Sequence, residues 1–266
     1  MITYRDFIAA YRDLGLSNQS RVIAHASLSA FGQIAGGAET LVGALLASCE
    51  VVCMPSFTYQ TMVIPPVGPP DNAIDYGSGE DRNRLAEIFN SKMRADPALG
   101  VVAETFRQHH LSHRSNHPIL SFSAVNADDG LAAQTIEEPL APIGWLADQD
   151  GDVLLIGVDH TANTSLHYAE KLAGRKQFVR WGLTRQGMVT CPGFPGCSKG
   201  FQAIEPRLQG VARKVQLGAG IIEYIPLRDL INVTTGWLRA DPLAMLCGQQ
   251  DCQRCQSVRE IYPEMS

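Results

Sequence analysis

The chain has 266 residues, of which 45% are hydrophobic and 18% charged. That is enough apolar material for a sizeable core, and it excludes an intrinsically disordered polypeptide. The formal net charge of -5, with no long run of one sign, argues against a nucleic-acid binder held by phosphate contacts.

No apolar run approaches the length of a membrane span, and the first residues lack the basic-then-apolar order of a signal peptide. A cytoplasmic protein with no membrane partner is expected, either a monomer or a homodimer. Seven cysteines at uneven spacing then read as reduced thiols by default.

Tyr4 to Leu14 carries apolar residues at helical spacing. Arg21 to Ala26 reads as a strand that runs into His25-Ala-Ser-Leu-Ser and Gly36-Gly37. A helix from Ala38 to Ser48 and a strand from Glu50 to Met54 follow. Such a β–loop–α–β unit places its two strands side by side if they pair in parallel. Thr61 to Gly79, rich in Pro, Gly and Asp, is a long surface loop that can face a substrate. Helices are expected over Arg82 to Met93 and Gly100 to Leu111, then a turn at Arg114 to Pro118 and a strand at Ile119 to Ala124. Short helices are expected at Asp128 to Thr135 and Ile143 to Leu146.

Val153 to Val158 has no polar side chain and reads as a strand buried on both faces. Asp159, Thr161, Asn163 and Thr164 then suit a turn and a helix cap, and the helix can run through Ala173 to stop at Gly174. Clefts of open α/β sheets lie at such crossings. Lys176 to Thr184 and Gly187 to Thr190 alternate as antiparallel strands. Cys197 to Leu208 reads as helix, Val211 to Leu217 and Ala219 to Ile225 as strands, and Leu227 to Arg239 as a last helix. With no flexible linker between the halves, a single domain over 1–266 is expected, its cysteine-containing tail starting at about 241.

Four groups of residues could carry chemistry. His167 and Glu170 are three apart on one helical face. An imidazole can take up a proton near neutral pH, and a carboxylate fixes its tautomer; spacing alone favours an ordinary solvated helix face over such a pair. The loop at His25 to Ser29 offers hydroxyls and backbone N–H groups to an anion, although it matches neither a Walker A loop nor a dinucleotide fingerprint. His109, His110, His113 and His117 include two pairs at i, i+4 spacing, without the intervening Glu of a zincin. Cys252-x2-Cys255, with Cys247 and Cys197, has spacing suited to a structural zinc ion, against free thiols as the alternative.

Several segments, in order, resemble one family. They are His25-Ala-Ser-Leu-Ser-Ala-Phe-Gly32, Gly36-Gly-Ala-Glu-Thr40, Met54-Pro-Ser-Phe-Thr58, Gly100-Val-Val-Ala-Glu-Thr-Phe-Arg107, Arg114-Ser-Asn-His-Pro118 with Ser121-Phe122, and Leu154-Leu-Ile-Gly-Val-Asp159 leading into Asn163-Thr-Ser-Leu-His-Tyr-Ala-Glu170. Together they resemble the aminoglycoside 3-N-acetyltransferases, the antibiotic N-acetyltransferase family. The likeness implies an α/β/α sandwich with a central mixed sheet and a C-terminal antiparallel extension. It also implies an acetyl-CoA-dependent transferase acting on a small-molecule amine.

Carried over by that resemblance, His167 would be the general base and Glu170 its partner. His25, Ala26, Ser27, Leu28, Phe31, Ser56, Phe57, Thr58, Val102, Ala103, Glu104, His117, Ser121 and Phe122 would contact CoA or line the cleft. Tyr59, Asp71, Asp75 and Asp159 are the candidates facing the amine substrate, and Ser56, Thr58 or Thr164 could supply a hydroxyl to the oxyanion. Two departures stand out. Ala26 occupies a position where the family often carries a hydroxyl, and the 61–79 loop carries only Asp71 and Asp75 as acids. An aminoglycoside-binding cleft usually needs more acid than that, so a different amine is the alternative substrate. A zinc-stapled binding protein without catalysis is the alternative to an enzyme.

Overall fold

The computed structural model describes residues 1–265. In chain order its elements are α1 (Tyr4–Asp13), β1 (Arg21–Ala26), α2 (Gly37–Ser48), β2 (Val51–Pro55), β3 (Met62–Val63), α3 (Glu80–Arg84), α4 (Gly100–Gln108), β4 (His113–Arg114), β5 (Phe122–Val125), α5 (Asp128–Ala132) and α6 (Ala141–Asp148). These are followed by β6 (Asp152–Ile156), α7 (Ser165–Leu172), β7 (Phe178–Thr184), β8 (Gly187–Phe194), β9 (Arg213–Leu217), β10 (Gly220–Pro226), α8 (Leu227–Ala240) and α9 (Gln253–Arg259). Among the described residues no helix is long and apolar enough to cross a membrane.

Seven strands form one mixed sheet in the order β4-β5-β2-β1-β6-β10-β9. Its centre is parallel, with Arg21 of β1 opposite Val51 of β2 and Val22 opposite Asp152 of β6. The flanking strands β5 and β10 run antiparallel to it. Alternation along the strands explains why helices cover both faces. Ile23, Cys53, Phe122, Val153 and Leu155 enter one core cluster with residues of α5, α6, α7 and α8. Val22, Ala24, Val52, Met54, Leu154 and Ile156 enter another with α1, α2 and α4. Ile23 and Leu155 are both fully buried, which stabilises the fold by about 1.5–3 kcal/mol for each such side chain. The result is the three-layer α/β/α sandwich that the family resemblance implied.

The antiparallel extension is a separate three-stranded sheet, β3-β7-β8. It is not peripheral, because Phe178, Cys191 and Phe194 belong to the same core cluster as Ile23 and Leu155. Strands β9 and β10, by contrast, extend the main sheet beside β6.

Two expected helices are corrected. The stretch from Arg82 to Met93 is helical only within α3. Beyond it, the N–H groups of Glu87 and Phe89 donate to the carbonyls of Gln60 and Leu183, so tertiary partners take the bonds a helix would have used. Cys197 to Gly200 is not helical either, and Phe201–Leu208 winds as a 3₁₀ helix containing Pro206, which has no N–H to donate. The expected strand at Ile119 begins only at Phe122, because the N–H groups of Ile119 and Leu120 donate to His117 Nδ1 at 3.1 and 2.9 Å.

Candidate active site

Strands β1, β2 and β6 run parallel, so their C-terminal ends open at one edge of the sheet. There the chain leaves Ala26, Pro55 and Ile156 for three loops. A cavity of about 760 Å³ lies over these ends, lined from β1 and its loop by Ala24 to Ser29, from β2 by Met54 and Pro55, and from the β6 side by Val158 and Thr161 to Thr164. This is the crevice that parallel α/β sheets offer to ligands.

His167 reaches the cavity from α7. The approach to that helix is built by local capping. The Asp159 carboxylate accepts the Thr161 N–H at 2.9 Å, and the Asn163 side-chain oxygen accepts the Ser165 N–H at 3.2 Å. Within α7, His167 Nδ1 lies 2.7 Å from Glu170 Oε2. Glu170 is 2% exposed, and Arg175 Nη1 donates to its other oxygen at 2.8 Å. The Arg175 guanidinium is held in turn by the carbonyls of Pro242 and Ala244, each at 2.6 Å. A carboxylate oriented by Arg175 thus fixes the imidazole, and Nε2 is the ring nitrogen left for a ligand. The Phe201 ring packs 4.6 Å from the imidazole, centroid to centroid.

Of the sequence candidates, His25, Ala26, Ser27, Leu28, Phe57, Tyr59, Ala103 and His167 line the cavity. His25 Nε2 is buried without a hydrogen-bond partner, and burial pushes that imidazole down to about 3, so it is neutral. Burial pushes the Tyr59 phenol up to about 12.

Apart from Thr164, the remaining candidates do not line the cavity. Phe31, Val102 and Phe122 are core side chains. Glu104 forms an ion pair with Arg107 at 2.7 Å. Burial alone would raise its carboxyl, but the hydrogen bonds from Arg107 and the Ala95 N–H hold it low. Ser121 donates to the Ser56 carbonyl at 2.9 Å. The Ser56 hydroxyl donates to Ser123 at 2.6 Å and that of Thr58 to the Pro118 carbonyl at 2.7 Å. Both hydroxyls are therefore spent, and of the three oxyanion donors weighed from sequence only Thr164 faces the cavity. His117 is buried with its ring pushed down to about 4 by that burial. Asp71 and Asp75 are exposed in the long loop, and Asp159 is used in capping.

The four-histidine group does not converge. Helix α4 ends at Gln108, and His113 pairs instead with Asp128 at 2.5 Å. The cysteines do converge. Cys197, Cys247, Cys252 and Cys255 place their sulfurs within 4.8 Å of one another.

Two arginines went unnoticed in the sequence. Arg175 follows Glu170 by five residues, a spacing that matches no pairing template. Arg254 enters the cavity from α9 beside Phe194, Pro195, Gly196 and Ser198.

A model of the family described as aminoglycoside 3-N-acetyltransferase matches residues 23–239. The chain belongs to that family. It is accordingly an N-acetyltransferase. Aminoglycoside N(3)-acetyltransferase IV of Salmonella sp is 31% identical over 183 residues, covering 60% of this chain and 67% of the relative. Aminoglycoside N(3)-acetyltransferase VII of Streptomyces paromomycinus is 27% identical over 259 residues, covering 85% and 87%. In fold, the acetyltransferase resembles the AAC(3)-IVa apoenzyme with a TM-score of 0.78 at 24% identity, covering 97% of each chain. An AAC-IIIb bound to CoASH gives a TM-score of 0.72 at 21% identity, covering 90% of this chain and 96% of that one.

Proposed function

We propose that this acetyltransferase transfers the acetyl group of acetyl-CoA to an amine of an aminoglycoside or a related amino-bearing small molecule, with His167 as general base. The observation that carries the reading is the Arg175–Glu170–His167 chain ending at a cavity over the parallel strand ends.

An ammonium group cannot attack a thioester, because its lone pair is bound to a proton. The ammonium first loses one proton to solvent; His167 takes the second from the neutral amine as the nitrogen bonds to the carbonyl carbon, and the Glu170 carboxylate steadies the imidazolium. The tetrahedral oxyanion then collapses, the carbon–sulfur bond breaks, and the leaving thiolate takes up the proton. Thr164 and the backbone N–H groups of the strand-end loops are the available oxyanion donors. The contacts of Glu170 with His167 and Arg175, and of Arg175 with the Pro242 and Ala244 carbonyls, are in place without substrate, which limits reorganisation during the reaction. Relatives named for this activity and a neighbour holding CoASH support the reading.

A second reading concerns the acceptor. Among the described residues lining the cavity none is a carboxylate, and Arg254 is the one permanent cation. A polycationic aminoglycoside gains little from such a wall, which favours an amine of lower charge. Free-thiol release from acetyl-CoA against a panel of several aminoglycosides and singly charged amines tests both readings. Turnover confined to singly charged amines selects the second, and no thiol release with any amine overturns the proposed activity.

A further inference from the structure

We propose that Cys197, Cys247, Cys252 and Cys255 form a structural zinc site that holds one wall of the acyl-transfer cavity in place. Three separate segments supply the thiols: the loop after β8, the loop after α8, and α9 with its first flanking residue. The Cys252/Cys255 pair has ligand spacing in the sequence, but Cys197 lies 50 residues before Cys247, and the fold brings all four sulfurs within 4.8 Å of one another. A tetrahedral ion with Zn–S bonds of about 2.3 Å requires sulfurs about 3.8 Å apart, so binding needs only a small contraction.

Every cysteine is free. Two disulfides would draw the sulfurs into separate pairs about 2.05 Å apart, leaving the pairs distinct, whereas mutual proximity of all four is what one ion needs. Cys197, Cys247 and Cys255 are buried and form a cluster of their own, packed by Leu246. An all-thiolate tetrahedral set suits zinc. On binding, four S–H bonds are exchanged for four Zn–S bonds, the protons pass to solvent, and nothing is oxidised or reduced.

The cluster lies next to the cavity through its own chain neighbours. Gly196 and Ser198, on either side of Cys197, both line the cavity, as does Arg254, which lies between Cys252 and Cys255. Arg254 Nη1 donates to the Gly196 carbonyl at 2.9 Å, so the two cysteine segments are also tied at the wall. Arg259 donates to the Cys247 carbonyl at 2.6 Å from the other end of α9. The ion therefore fixes the position of the one permanent cation in the lining. Resting on the acetyl-CoA reading, Arg254 faces the anionic donor, and loss of zinc weakens donor binding.

The test begins with the full chain produced under reducing conditions in zinc-supplemented medium. Elemental analysis is expected to find one zinc per chain, and Cys252→Ser, the least buried ligand, to lose most of it. Cobalt substitution is expected to give the intense thiolate-to-cobalt absorption and visible bands of a tetrahedral site. Chelation is expected to lower the melting temperature of the wild type and to raise the KM for acetyl-CoA several-fold. Arg254→Met should raise that KM alike while keeping its zinc and its melting temperature. A wild-type chain that holds no zinc and takes none up, holds iron in its place, or shows two disulfides by thiol counting overturns the metal site. Metal content, cobalt spectra, thiol count and melting temperature do not depend on turnover, so an inactive protein leaves them decisive for the metal site, and calorimetric Kd for acetyl-CoA then replaces KM. Zinc present with an unmoved KM overturns the role of the wall alone.

Discussion

At the residue scale, the decisive arrangement is a carboxylate shared between an imidazole and a guanidinium. Glu170 could have been a solvated helix residue, but it is 2% exposed, and its two oxygens are taken by His167 Nδ1 and Arg175 Nη1. Two predictions follow from that sharing. His167→Ala removes the proposed base while leaving the cavity open, so acetyl transfer should fall on the order of 10²–10⁴-fold with acetyl-CoA binding retained by calorimetry; wild-type turnover in that variant would show that the base lies elsewhere. Arg175→Met strands a buried carboxylate, a change that costs about 3–5 kcal/mol where a buried pair is broken. Denaturant titration should show that loss, together with reduced kcat. Two of its three groups were legible, since His167 and Glu170 lie at i, i+3. Arg175 was not, because it leaves the helix after Gly174 and reaches back through space to Glu170 and to carbonyls near residue 243.

At the element scale, the site depends on how the parallel strands end. Gly157 closes β6 with φ at 68°, and a Cβ there would lie 2.6 Å from Ala30 Cβ and 2.9 Å from the Ser27 carbonyl oxygen. Gly157→Ala should therefore destabilise the protein by about 1–3 kcal/mol through backbone strain and overpacking, and it should displace the His25 to Ser29 loop. A melting temperature unchanged by this substitution would contradict the close approach. Strand β6 was readable from its unbroken apolar run, and the start of α7 from its capping residues. The region from 86 to 93 was misread as helix because its backbone bonds go to Gln60 and Leu183, partners that no local pattern announces.

At the scale of the whole molecule, Phe178, Cys191 and Phe194 of the small sheet share a core with Ile23 and Leu155 of the large one. We propose on that basis that the chain is a single domain, and calorimetry should show one cooperative transition; two resolved transitions would divide it. Acid should destabilise the fold through its buried neutral histidines. His25 and His117 are pushed down to about 3 and about 4 by burial, against about 6.5 in an unfolded chain. Below about 6.5 the unfolded state binds protons that the folded state does not, so stability falls as pH drops from there toward the folded values. Each histidine contributes a slope of at most about 1.4 kcal/mol per pH unit. Denaturant titrations at pH 7 and pH 5 should show the loss, reduced in His117→Asn, and equal stability at the two values would contradict it.

The sequence by itself determined the alternation of strands and helices, the buried strand β6 and the opening at its end. Those properties follow from local periodicity, from buried strand runs and from capping chemistry. Six short segments in order also sufficed to place the chain in its family. Only the tertiary structure settled the parallel centre, through the pairing of β1 with β2 and β6, and decided which side chains face the cavity. It turned the hydroxyls of Ser56 and Thr58 into the body and brought Cys197 and its neighbours to the same wall as Arg254 and the 247–255 cysteines. Such meetings depend on which loop packs against which strand end, and contacts between residues far apart in the chain leave no period for a sequence to show.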